Sequence, residues 1–455
     1  MLERDVTRHI YTPSTPVKRA ISDLYRKGTT ICLVCDKRRR LLGVVTMADI
    51  KQGLLKGIDP HAPLRSIMNT DFTWALAGTP LTTLKKTASQ PSRYKTGTLS
   101  SIPLLDERKR LVALYMDSKA PAPAPHTVLV TGGAGYMGSL LCRHLLKDGY
   151  RVVVLDKLLF GDAGIKDLYA DKNFTLIHGD IGDIGTLTQA IQGADSVVHL
   201  AGIVGDPACA LNPIQTMEEN HFSTKMMIDL CQYYQVSRFI FSSSCSVYGT
   251  SASRSDERSQ LHPVSLYAQS KMYSERELLR AAGANFHPVI LRFGTLYGYS
   301  PRMRFDLVVN VMTARAFFNK HITVDGGSQW RPLVHVDDAA RALRAALNAP
   351  LGHVSGQIFN VGDSDENYQI SEIAEEVRHC LPKTEIAQLD TVKDRRDYRV
   401  SFAKMRKVLR FKVKHTLRHS IIGMVRQMQN GKFKDWKKKK YSNYLTLRNT
   451  LEKDL

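Results

Sequence analysis

The stretch VLVTGGAGYMGSLL at residues 128–141 decides the fold. Val128, Leu129 and Val130 read as a buried strand. Gly132, Gly135 and Gly138 then fall at three-residue spacing around Tyr136 and Met137, and SLLCRHLL reads as a helix. A strand, a glycine turn and a helix N-terminus together form an anion site, because backbone amides point outward and the helix dipole favours phosphate. Gly132 suits the tight turn, Gly135 lets a pyrophosphate approach, and Gly138 lets helix and sheet pack closely. A second apolar run, VVVLD, ends at Asp156, 18 residues after Gly138. A carboxylate at that place accepts hydrogen bonds from an adenosine ribose and repels a 2′-phosphate, so the expected cofactor is NAD rather than NADP.

Downstream, short apolar runs recur: FTLIHGD, SVVHLAG, RFIFSSS and HPVILRFG, separated by helical patterns such as KMMIDLCQYY. This alternation predicts an α/β fold, a Rossmann-like doubly wound parallel sheet covered on both faces. From about Leu296 a smaller α/β part is expected to close over a ligand at the carboxyl ends of the strands.

Upstream, SKAPAPAPH at 118–126 reads as an extended Pro/Ala linker. Before it lies an internal repeat. At an offset of 70, Asp36 meets Asp106, Arg40 meets Arg110 and Leu41 meets Leu111. Each copy reads as strand, charged turn, strand, preceded by a helical stretch. The division is therefore an α+β unit at 1–118, a linker at 119–126, a catalytic part at 127–420 and a basic tail at 421–455.

A chain of 455 residues accommodates two or three domains. No apolar run reaches the roughly 18 residues that span a bilayer, and MLERDVTRHI carries no apolar signal core, so a cytoplasmic location is expected. Seven cysteines in a long chain fit reduced thiols. Cys32 and Cys35 form a lone CxxC without a second ligand pair, so no metal is expected. The net charge of +21 is concentrated at the two ends, leaving the middle near neutral. That pattern argues against a nucleic-acid groove across the catalytic part. The densest basic patch, KFKDWKKKK at 432–440, reads as a solvated face or as a peripheral contact with anionic lipid.

YAQSK at 267–271 places Tyr267 and Lys271 at i and i+4, on one face of a helix. An ammonium beside a phenol favours phenolate, so Lys271 is expected to lower the pKa of Tyr267 from about 10. Tyr267 then takes a proton from an alcohol while hydride leaves the same carbon. Ser244, at the end of FIFSSS, is placed to hydrogen-bond both the reacting hydroxyl and the phenol.

These motifs together resemble the extended short-chain dehydrogenase/reductase family, specifically its NAD-dependent nucleotide-sugar epimerases and dehydratases, over about 127–420. TGGAGYMG resembles the family's cofactor turn and Asp156 its ribose-binding acid. GDIGD, with Asp180 and Ile181, resembles the adenine-side segment, and VVHLAG, with Leu200 and Ala201, the HLAA strand end. Ser244, Tyr267 and Lys271 match the catalytic set. Arg331 in RPLVHVDD matches an arginine that binds the substrate diphosphate, and Arg396 is a second phosphate candidate. Departures narrow the reaction. Family 4,6-dehydratases carry an Asp-Glu pair where Cys245 and Ser246 stand, which disfavours dehydration and makes Cys245 a candidate substrate contact. Thr295 stands where many 4-epimerases place an Asn against substrate. In the loop after HLAG, Asp206 and Cys209 are candidates to approach the sugar, although Asp206-Pro207 also reads as an ordinary turn.

Residues 1–118 resemble a tandem CBS domain, most specifically at GVVTMAD. There Thr46 and Asp49 match residues that hydrogen-bond an adenine nucleotide, whereas the second copy has Ala113, Met116 and Lys119. The two resemblances imply a UDP-glucose 4-epimerase-like enzyme with bound NAD. It would act through a transient keto-sugar in cell-surface polysaccharide or lipopolysaccharide synthesis, as a homodimer, with adenine-nucleotide control. Two rivals remain. A nucleotide-sugar reductase or dehydrogenase of the same fold would show net NADH turnover. A non-catalytic NAD and adenine-nucleotide sensor would show no turnover.

Overall fold

The computed structural model describes all residues except 1, 4, 28–30, 47–48, 51, 54–55, 89–100, 117–125, 284, 390–393, 395 and 455. The chain divides into two compact units, Met1–Ala124 and Pro125–Leu455. The linker read at 119–126 lies, apart from His126, outside the described residues.

In the first unit the repeat is visible in the backbone. Strands Ile31–Cys35 and Leu41–Thr46 pair antiparallel, as do Ser101–Leu105 and Leu111–Met116. The second strand of each pair shows the same alternation of burial. Both turns close alike: Asp36 accepts from the amides of Arg38 and Arg40, and Asp106 from those of Arg108 and Arg110. Arg39 and Lys109 both take positive φ, 61° and 58°. The copies then bond to each other reciprocally, with Leu41 N donating to Lys109 O and Leu111 N to Arg39 O. A shared core of Ile31, Leu33, Leu41, Leu105, Leu111 and Leu114 lies beneath this junction.

The second unit is built on seven parallel strands. Across the sheet they run Phe174–His178, Arg151–Asp156, Thr127–Thr131, Ser196–His199, Arg238–Ser244, His287–Phe293 and Gln357–Val361. The first six are the runs read from sequence. The seventh, QIFNV, was not anticipated. Its position at the sheet edge follows from pairing with His287–Phe293, which a short isolated run does not announce. Separate apolar clusters cover the two faces, so the sheet is doubly wound. Strand order reverses between Thr127–Thr131 and Ser196–His199, which opens a crevice at their carboxyl ends.

The division at 420/421 is not a boundary in the fold. Helix Leu417–Gln429 runs through it, and Leu417, Ile421, Met424 and Met428 are buried in the main core. Phe433, Trp436 and Tyr441 gather edge-on around Phe305. The supposed tail is therefore packed on its aromatic side, because the lysines that dominate its composition alternate with rings that the core takes up. Among the described residues no helix is long and apolar enough to cross a membrane.

Candidate active site

One cavity runs along the crevice and gathers most of the residues read from the motifs. At its cofactor end, Gly132 takes φ 72°, and a Cβ there would lie 2.7 Å from Ala201 N. A Cβ on Gly138 would lie 2.4 Å from Gly132 O, so only glycine permits this turn to seat against helix Gly138–Lys147. Gly135, Tyr136, Met137, Ile181, Leu200 and Ala201 line the same cavity. Asp156 ends the second strand there. Its carboxylate accepts from Ala134 N at 2.9 Å and Leu158 N at 2.8 Å, and burial pushes its pKa up. Asp180 is tied to Lys157 at 2.7 Å, which fixes both beside the crevice. Glycine cradle, helix N-terminus and ribose-side acid together fit a dinucleotide.

At the other end, helix Leu266–Ala281 carries Tyr267 and Lys271 on one face, N-capped by Ser265, whose Oγ accepts from Ala268 N. Strand Arg238–Ser244 delivers Ser244 to the same cavity, where its Oγ accepts from Ser246 N at 3.1 Å. Lys271 Nζ lies 4.8 Å from the Phe241 ring centroid and 5.9 Å from that of Tyr267. Burial lowers the Lys271 pKa to about 8. Burial also raises that of Tyr267, with the neighbouring Cys209 and Asp206 adding to the rise and Ser244 opposing it. The expected depression of Tyr267 by Lys271 is not seen in the folded chain, where burial of the phenol dominates.

The substrate residues divide. Thr295 and Arg396 line the cavity. Arg331 does not: it is 4% exposed, donates to the carbonyls of Trp330 and Arg396, and pairs with Asp394 at 2.7 Å. It braces the segment that presents Arg396 and does not meet the cavity itself. Cys245 is also turned away. Its side chain is fully buried, its Sγ donates to Arg292 O at 3.3 Å, and burial raises its pKa. Cys209 is buried against Ile203 O, with its pKa raised to about 12 by burial. Asp206, by contrast, does reach the cavity. It begins the short helix Asp206–Cys209, accepts from Ser265 Oγ at 2.7 Å and pairs with Arg396 at 2.9 Å.

Four residues escaped the sequence reading. Arg302 and Arg304 line the cavity from the loop after Tyr297, and Asn443 lines it from the C-terminal segment. Asn220 pins the Gly202–Ile203 turn by accepting from Ile203 N and donating to Ile203 O. SPRMRF offered a signal, since two arginines in an apolar loop rarely lack a counter-charge. Nothing local marks Asn443.

Thr46 and Asp49 in the first unit do come together. Asp49 Oδ2 accepts from Thr46 N at 2.7 Å and from Thr46 Oγ1 at 2.6 Å.

Comparison with known proteins agrees with this geometry. A family model described as "NAD dependent epimerase/dehydratase family" matches residues 128–362, and one described as "CBS domain" matches residues 6–56. The chain belongs to the NAD-dependent epimerase/dehydratase family, with NAD as its cofactor, and carries an N-terminal CBS domain. It is 30% identical over 259 residues to an "Uncharacterized UDP-glucose epimerase YtcB" of Bacillus subtilis, covering 52% of this chain and 77% of that one. A UDP-glucose 4-epimerase of Yersinia pestis is 30% identical over 261 residues, with the same coverage. A dTDP-glucose 4,6-dehydratase of Streptomyces niveus is 28% identical over 266 residues, covering 55% of this chain and 76% of that one. Among solved structures, Pal from Bacillus thuringiensis superposes with a TM-score of 0.62 at 26% identity, covering 67% of this chain and all of that one. MoeE5, solved with UDP-glucuronic acid and NAD, superposes with 0.58 at 25%, covering 67% and 99%.

Proposed function

We propose that the protein is a nucleotide-sugar epimerase, UDP-glucose 4-epimerase-like, that inverts one sugar carbon through a transient keto-sugar. The observation that carries this reading is that Ser244, Tyr267 and Lys271 line the same cavity as the glycine turn, with Tyr267 and Lys271 on one helix face. NAD, when bound, supplies a hydride acceptor. Tyr267, whose phenolate would be favoured by the charges of Lys271 and of a bound nicotinamide, takes the hydroxyl proton, and Ser244 orients both that hydroxyl and the phenol. Lys271 keeps a positive charge beneath them. Arg396 anchors the substrate diphosphate, so binding energy remote from the reacting carbon positions the sugar. Cys245 and Ser246 are not carboxylic acids, so the chain lacks there an acid–base pair for eliminating water.

The test is a panel of UDP-, dTDP-, GDP- and CDP-sugars with NAD, read by proton NMR alongside NADH absorbance. An isomer without net NADH supports epimerisation. A 4-keto-6-deoxy product or stoichiometric NADH overturns it. For the CBS unit we propose an adenine-nucleotide site at Thr46 and Asp49 that modulates the enzyme. Unchanged activity and melting temperature with ATP, ADP and AMP would make the unit structural.

A further inference from the structure

The cavity holds a buried cation that forms no ion pair among the described residues. Arg302 is 6% exposed, and among the described residues no carboxylate lies within ion-pair distance of it and its Nε has no hydrogen-bond partner. Its guanidinium lies over the Phe160 ring at 4.1 Å, in the cofactor half near Asp156. Its side-chain anchor is Asn443, whose Oδ1 accepts from Arg302 Nη2 at 2.7 Å. Asp306 and Asp156 act on it only from beyond ion-pair distance and do not offset its burial, so a guanidinium bonded to one neutral acceptor stays costly until an anion joins it.

Asn443 is itself fixed. Its backbone N donates to Asp306 Oδ2 at 2.8 Å, and Asp306 is gripped by the fork of Arg304. It opens helix Asn443–Asp454, which is capped independently by Ser442 Oγ accepting from Leu445 N. One turn on, Leu447 is buried among Ile203, Ala208 and Cys209, with Tyr267 packed against the same cluster. The preceding stretch is anchored by Phe305 N donating to Tyr441 O at 2.8 Å and by the ring cluster around Phe305. One terminal helix therefore touches the cofactor half, through Asn443, and the loop after strand Ser196–His199, through Leu447. This segment lies beyond residue 362, where the family match ends.

We infer that the C-terminal segment 431–454 is a wall of the cofactor site and that Asn443 is a positioning residue, holding Arg302 so that the bound dinucleotide is retained. A hydrogen bond to a charged group is worth enough to change a release rate roughly tenfold. The full-length protein is loaded with NADH and chased with excess NAD, and release is followed by the loss of bound-NADH fluorescence. Asn443→Ala is expected to release NADH about tenfold faster, and Leu447→Asp at least as fast. Arg448→Ala, on the exposed side of the same helix, keeps the parental rate. Thermal melting shows whether each variant is folded. A folded Asn443→Ala that releases NADH at the parental rate overturns the proposal even if Leu447→Asp fails to fold. Equal acceleration by Arg448→Ala also overturns it, since general helix stability would then explain the effect. The inference rests on NAD binding and not on the epimerase reading. Release rates are measured without any sugar, so a chain that turns over no sugar fails the function and leaves this test intact.

Discussion

The two ends of the cavity were specified in different ways. In the cofactor half, Gly132, Gly135, Gly138 and Asp156 come from one strand–turn–helix–strand segment, and all of them line the crevice as read. In the substrate half, Arg331, Arg396, Thr295, Cys245 and Asp206 come from five separate segments, and two of the five do not face the cavity at all. A binding site made by one contiguous turn is fixed by local backbone geometry. A site assembled from distant loops depends on which partner each side chain finds first.

That contrast can be tested from its strongest point outward. Tyr267→Phe removes the proposed proton acceptor and nothing from the cofactor turn. Turnover is expected to fall by roughly 10²–10⁴, while NAD still raises the melting temperature. Full activity in that variant would sink the assignment of Tyr267.

The next contrast is between the two arginines. Arg396→Ala is expected to raise KM by about 10–100-fold through loss of charge-assisted bonds. Arg331→Ala is expected to cost stability, about 1–3 kcal/mol, with KM little changed in the folded fraction. If Arg331→Ala raises KM as much as Arg396→Ala, the division drawn between the two side chains is wrong.

A third effect is set by pH. The buried Lys271 is charged below about pH 8 and loses its proton above it. Initial rates are expected to decline above that value by up to about tenfold per pH unit, and Lys271→Arg should move the decline to higher pH. Stability runs the other way. The folded pKa lies below the ordinary lysine value of 10.5, so the unfolded chain holds more protons between about 8 and 10.5, and Lys271 contributes stability that rises with pH across that window. A Lys271→Met variant that keeps the parental slope of stability in this range would refute the link.

The smallest effect is expected at Cys245→Ser. With Sγ buried and bonded to a carbonyl, sugar turnover should change by less than about twofold. A specific loss of turnover at unchanged melting temperature would return Cys245 to the substrate.

Much of the cofactor half was legible because each residue's role follows from its neighbours in sequence. The glycines show why: a Cβ at 138 meets the turn's own carbonyl, a clash internal to the motif. The repeat in the first unit was legible for the same reason, since Asp36 and Asp106 each close their own turn. Arg331 shows the limit. It was read as a phosphate-binding arginine from its local motif, yet Asp394, 63 residues away, takes its guanidinium. The basic stretch 432–440 shows another, because composition reported its lysines while Phe433, Trp436 and Tyr441 turned inward onto Phe305.

By itself, the sequence determined the parallel sheet, the dinucleotide turn, the helix face that carries Tyr267 and Lys271, and the two-copy N-terminal unit. All of these rest on periodicity and steric rules that act over a few residues. Only the tertiary structure decided that Asp206 meets Arg396, that Cys245 faces away, and that Asn443 holds Arg302. Each of those depends on long-range packing, which selects one partner from many of similar chemistry and leaves no mark at either end of the pair.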